Sequence, residues 1–151
     1  GMRSGFVAGD PAILKDYLLY RTYHGSAMSP AIQAASIAAW NDEAHVIDNR
    51  AQYRAKFAAI TPLLENVLDT SMPDASFYLW AGVNKNSSIS DTEFSRRLAI
   101  EYNVHVLPGS FLAREAHGTN PGDGQVRIAL VAPLADCLEA AERIQRFVTQ
   151  L

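Results

Sequence analysis

Several resources that common functions require are scarce in this sequence. Cysteine occurs once, at Cys137, which excludes an intrachain disulfide and fits a reducing compartment. Its place among Leu134, Leu138, Ala141 and Ile144 marks it as a small buried hydrophobe rather than a reactive thiol. Apolar runs stop well short of the ~18 residues that a bilayer span needs, and no signal peptide opens the chain. Cytoplasm is therefore the expected address, with no membrane partner. There is no basic excess either: 13 Lys and Arg stand against 16 Asp and Glu, a formal net charge of -3, which argues against nucleic acid as a partner. An anionic ligand would have to be held by individual arginines. The phosphate-binding glycine loops, the nucleophile elbow and paired cysteines are all missing. The histidines at positions 24, 45, 105 and 117 lack the spacing of a helical zinc site, so each reads as structural or solvated and no metal is expected.

What remains is a chain of 151 residues, 48% hydrophobic, enough for a globular domain with a core. Asp10 and Ser29 are each followed by proline, which pairs a side-chain acceptor suited to a helix N-cap with a residue that tolerates the first helical position. Helices are expected over residues 11–20 and 31–40. The second is apolar on most of its circumference and should be buried. Val46, Tyr53, Phe57, Ile60, Leu64 and Leu68 recur at steps near three and four and predict a long amphipathic helix over residues 45–68, kinked at Pro62.

Residues 75–83 have the aromatic density of a strand. Ser90 and Glu93 have the form of a capping box, opening a helix to about Tyr102. Residues 104–107 read as a short strand that ends at Pro108, Gly109 and Ser110. In residues 125–131, Val126, Ile128 and Leu130 alternate with Gln125, Arg127 and Ala129, the signature of a strand with one buried face. Pro133 opens a last helix with a stripe of Leu134, Leu138, Ala141, Ile144, Val148 and Leu151. The order implies an α/β class, α+β at the C-terminal end, with helices packed on a small mixed sheet.

Two arginines stand out. Arg127 would project from the middle of a strand, where a charge is costly unless an anion meets it; that anion is either a carboxylate of the fold itself or a ligand. Arg3 lies among Gly1, Ser4 and Gly5, small residues that permit close approach of a ligand to the backbone.

The opening Gly1-Met2-Arg3-Ser4-Gly5-Phe6 resembles the segment that follows the cofactor-bearing lysine in fold-type I, class I/II aminotransferases. Phe77-Tyr78-Leu79-Trp80, Val106-Leu107-Pro108-Gly109-Ser110 and Val126-Arg127-Ile128-Ala129 follow in family order and spacing, so the resemblance covers essentially the whole chain. Within the family, the wording around Arg3, Tyr23 to Met28 and Phe77 to Ala81 is most similar to bacterial N-succinyldiaminopimelate aminotransferases, although aspartate-type and other transaminases share much of it. The resemblance implies a pyridoxal 5'-phosphate cofactor, with Arg3 on its phosphate and Arg127 on the substrate α-carboxylate. It also implies amino-acid and 2-oxo-acid substrates and a homodimer.

By the same resemblance, residues 1–44 are the end of a large cofactor-binding domain and residues 45–151 a small C-terminal domain including its linking helix. The residues around Tyr23 to Ser29 resemble a loop that reaches the neighbouring subunit, where His24 and Ser26 either meet the distal end of a substrate or simply cap and turn the chain. The lysine that bears the cofactor has no counterpart here: Lys15, Lys56 and Lys85 lie outside the motif and read as surface residues. No catalytic residue is therefore expected in this chain, and alone it should be inactive. The competing readings are a non-catalytic carboxylate-binding or interaction module derived from this fold, another class I/II transaminase, and a related pyridoxal-phosphate lyase or synthase.

Overall fold

The computed structural model describes residues 2–25, 27–85 and 88–151, so Gly1 and Ser26 lie outside the described residues. The chain forms two compact units, Gly1–Asp48 and Asn49–Leu151.

The first unit holds two helices whose starts follow the expected chemistry. In α1 (Pro11–Tyr23) the Asp10 carboxylate accepts from the Ala12 and Ile13 amides at 2.8 and 3.3 Å, and proline stands in the first turn. In α2 (Pro30–Trp40) the Ser29 hydroxyl accepts from the Ile32 amide at 3.4 Å. The expected burial of α2 is not found: Ser36 is its one buried residue, while Ile37 and Trp40 are 59% and 57% exposed. Two helices alone present no second layer, so the apolar circumference has little of this unit to pack against. Phe6 does meet Trp40 edge to face at 5.4 Å, and Ser36 donates to Ser4 at 2.5 Å.

The long helix α3 (Glu43–Glu65) begins in the first unit and continues into the second, with Pro62 inside its last turn. Then come β1 (Tyr78–Gly82), α4 (Asp91–Tyr102), β2 (Leu107–Pro108), the single turn α5 (Gly109–Leu112), β3 (Gln125–Ala129) and α6 (Leu134–Thr149). The three strands lie in the order β1-β3-β2. Both pairings are antiparallel, where a mixed sheet was expected, because β1 and β2 each run opposite to the central strand. The second strand shrinks to two residues: Pro108 has no amide to give to the ladder, and helix α5 begins immediately after it.

One core unites this unit. Phe57, Ile60 and Leu64 of α3, Leu79 and Ala81 of β1, and Val126 and Ile128 of β3 are buried in it with Phe94, Leu98, Ile144 and Phe147. The Phe94 and Phe147 rings meet edge to face at 5.1 Å. Thus the alternation expected for β3 holds, and helices cover one face of the sheet while the other stays open.

Half of the expected capping box forms. The Ser90 hydroxyl accepts from the Glu93 amide at 3.2 Å, but the Glu93 carboxylate is taken by Arg96, at 2.6 and 2.7 Å, because an arginine three residues on offers two charged donors. Helix α4 closes on Asn103 in the left-handed conformation, φ 53° and ψ 41°, with its amide donating to Ala99 and Leu98. Cys137 is buried, as expected, and burial raises its thiol pKa.

Candidate functional site

The open face of the sheet carries the side chains that a buried strand would otherwise forbid. In β3 the odd position Arg127 lies between two partners: it pairs with Trp80 of β1 and with Leu107 of β2. Leu107 and Trp80 are 46% and 41% exposed. Arg127 is half-buried, and its Nε has neither solvent nor a hydrogen-bond partner. Its guanidinium carbon lies 5.1 Å from the centre of the Tyr78 ring.

Ion pairs among the described residues include Asp42 with His45, Glu93 with Arg96, Glu101 with Arg97 and Glu139 with Arg143. All are local pairs, and none involves Arg127. The carboxylate partner that would make Arg127 purely structural is therefore not found among the described residues. A half-buried guanidinium presenting planar donors beside an indole and a phenol is suited to a carboxylate with an organic side chain.

The loop that leads into β3 is held by close backbone approach and by one carboxylate. A Cβ on Gly109 would stand 2.4 Å from the Gly122 carbonyl oxygen, and one on Gly122 would stand 2.1 Å from that of Gly109. Asp91, 4% exposed at the start of α4, accepts from the Ser110 amide at 2.9 Å. Desolvation acts to raise its pKa, but hydrogen bonds from Ser110 and the Gly124 backbone prevail, and the carboxyl titrates below its ordinary value. Neither Asp91 nor Tyr78 was singled out from sequence. The latch across α4 and α5 and the diagonal from Tyr78 to Arg127 depend on pairings that spacing does not reveal.

In the first unit, Arg3 is exposed and has a left-handed backbone, φ 56°, a conformation uncommon for a residue with a side chain. A Cβ on Gly5 or Gly9 would meet nothing within 4 Å, so this segment is open to approach. His24 is engaged locally, stacked on Tyr20 with centroids 4.4 Å apart.

The lysines need one correction. Lys56 is not a surface residue: it is 9% exposed, and its ammonium donates to the Leu130 and Val131 carbonyls at 2.9 and 3.5 Å while lying 5.0 Å from the Tyr53 ring centre. Carbonyls left over where β3 ends compensate its burial. Lys85 is exposed but donates to the Glu65 and Leu68 carbonyls, and Lys15 is exposed on α1. No group of three or more His, Cys, Asp or Glu capable of holding a metal occurs among the described residues, and no helix there is long and apolar enough to cross a membrane.

The second unit is thus a three-stranded antiparallel sheet with helices packed on one face and, among the described residues, an arginine without an acidic partner on the other. Residues 1–144 match the family model for aminotransferase class I and II, and the chain belongs to that family. An aminotransferase structure from Neisseria meningitidis is 55% identical, with a TM-score of 0.78 over 97% of this chain and 37% of its own. A probable N-succinyldiaminopimelate aminotransferase from Thermus thermophilus is 29% identical, with a TM-score of 0.65 over 89% of this chain and 34% of its own. The LL-diaminopimelate aminotransferase of Aquifex aeolicus is 32% identical over 96% of this chain and 36% of its own length. The chain thus spans about a third of the length of these relatives.

Proposed function

We propose that these residues form the C-terminal portion of a pyridoxal-phosphate-dependent aminotransferase, in which Arg127 binds the α-carboxylate of the amino-acid substrate and Arg3 binds the cofactor phosphate. The observation that carries the reading is Arg127 itself: a half-buried cation without a carboxylate partner among the described residues, in the middle of the central strand of a chain that belongs to this family. The reading extends to a diamino dicarboxylic substrate, N-succinyldiaminopimelate first, which the Thermus and Aquifex relatives support. A cytoplasmic homodimer fits such a biosynthetic enzyme.

The residues present fit one end of the cofactor. Arg3 offers a guanidinium on an open, left-handed stretch of backbone, chemistry suited to a phosphate dianion. None of the three lysines stands ready to carry the cofactor: two have their ammonium groups engaged by backbone carbonyls, and Lys15 is exposed on a helix. The attachment residue then belongs to a part of the intact enzyme beyond these residues, and this chain alone is inactive. When bound, pyridoxal phosphate supplies the electron sink for deprotonation at the substrate α-carbon. Arg127 holds the carboxylate with paired donors and so restricts rotation of the amino acid about its α-carbon. Trp80 and Leu107 are its cross-strand partners on either side.

The test is amino-group transfer by the full-length protein, assayed with N-succinyldiaminopimelate, LL-diaminopimelate and aspartate as donors and 2-oxoglutarate as acceptor. Turnover with a diaminopimelate derivative is the expected result. Turnover restricted to aspartate would overturn the substrate reading, and cofactor binding without turnover on any amino donor would overturn the enzyme reading.

A further inference from the structure

We infer that Tyr78 is a positioning residue for Arg127, its ring holding the guanidinium in place without consuming any of the hydrogen bonds that a carboxylate needs. The inference rests on the reading of Arg127 as the carboxylate anchor. An arginine side chain is long and rotamer-rich, and a free one samples many positions. Proteins usually fix such a fork with an acidic partner, but that partner would occupy the donors and neutralise the charge meant for the ligand. An aromatic face attracts the cation through its quadrupole and leaves the N–H groups unspent.

The geometry at Arg127 has this form. The guanidinium carbon lies 5.1 Å from the Tyr78 ring centre, within the range of a cation–π contact. Pairing of Trp80 with Arg127 and of Tyr78 with Ala129 makes Tyr78 the diagonal neighbour of the arginine, a separation that aromatic and long side chains reach across. The Tyr78 ring is itself fixed from behind: Phe77 meets it edge to face at 5.1 Å, and Phe77 packs on Tyr53 of α3 at 6.3 Å. The backbone beneath is pinned as well, because the Leu130 amide donates to the Phe77 carbonyl at 3.0 Å and extends the β1 to β3 pairing past the end of the strand. A relay of three rings thus runs from the long helix to the guanidinium.

The test is a double-mutant cycle in the full-length enzyme, with Tyr78→Leu, Tyr78→Phe and Arg127→Gln read by kcat, KM and thermal melting. Tyr78→Leu is expected to lower kcat/KM roughly 2- to 30-fold, the range of a cation–π contact, chiefly through KM. Tyr78→Phe keeps the ring and should recover most of that loss. In the Arg127→Gln background Tyr78→Leu should add little, since residues acting through one another are non-additive. Equal losses from Tyr78→Leu in both backgrounds, or a lower melting temperature with KM unchanged, would overturn the inference and leave Tyr78 a packing residue. A wild-type KM in Tyr78→Leu beside a damaged Arg127→Gln enzyme would overturn it too while sparing the function of Arg127. An unaffected Arg127→Gln enzyme would instead refute the reading of Arg127 on which the inference stands.

Discussion

Replacing Gly109 by alanine puts a methyl group where the chain already has another stretch of backbone. The new Cβ would lie 2.4 Å from the Gly122 carbonyl oxygen and 2.8 Å from that of Gln125. Real Cβ atoms essentially never come within 3.0 Å of such an atom, so one backbone must retreat by at least roughly 0.6 Å. Neither side is a flexible side-chain end that can swing away. Gly122 meets Gly109 just as closely from the other direction, and Ser110, next in sequence, is tied to Asp91. Overpacking in a tight site costs ~1–3 kcal/mol, occasionally more, and backbone on both sides places this one at the upper end. The displaced loop leads into β3 at Gln125, so Arg127, the proposed carboxylate anchor two residues later, should move with it. Urea unfolding of Gly109→Ala should show a midpoint lowered by about 3 kcal/mol equivalent at unchanged m-value, with a raised KM in the full-length enzyme. A variant as stable as the parent, with normal KM, would refute the argument from close approach.

Other perturbations test separate parts of the account. Asp91→Ala leaves the Ser110 amide without its acceptor, and urea melts should show a loss of ~1–3 kcal/mol. Because the folded Asp91 pKa is depressed, its contribution is full above the unfolded value near 3.9 and disappears as pH falls through the folded pKa. The stability gap between parent and Asp91→Ala should therefore close in acid and stay constant from about pH 5 to 7. Asn103→Ala, at φ 53°, should cost about 1–2 kcal/mol by forcing a Cβ without local hydrogen bonding into the left-handed region. Mixing the 151-residue chain with pyridoxal phosphate should give no stoichiometric covalent adduct at one lysine by intact mass after borohydride reduction; a single fully modified lysine would contradict the placement of Lys15, Lys56 and Lys85.

Local chemistry was legible where neighbours in sequence decide it. The caps at Asp10 and Ser29, and the alternation of Val126 and Ile128 against Arg127, needed only adjacent residues and a period. What required distant partners was not. Phe147 falls beside the stripe read for α6 yet is buried between Phe94 and Tyr102, while Leu134, placed on that stripe, is 39% exposed at the helix start. Lys56 looked like a solvated lysine on an amphipathic helix, and only the end of β3, more than seventy residues away, supplies the carbonyls that bury it. The burial expected for α2 followed from composition, which states that apolar surface needs a cover but not which element provides one. Arg127 could be singled out as a costly charge in a strand; that it has no acidic partner among the described residues and rests on Tyr78 became visible once the β1 to β3 register was known.

The central claim is that the fork of Arg127 receives the substrate carboxylate, and Arg127→Lys in the full-length enzyme tests it most directly. Lysine keeps the positive charge and removes the planar pair of donors. The account predicts a kcat/KM lower by ~1–3 kcal/mol of transition-state stabilisation, about 5- to 150-fold, with the thermal melt and cofactor content of the parent. An Arg127→Lys enzyme that melts normally and turns over its amino donor at the parent kcat/KM would contradict it.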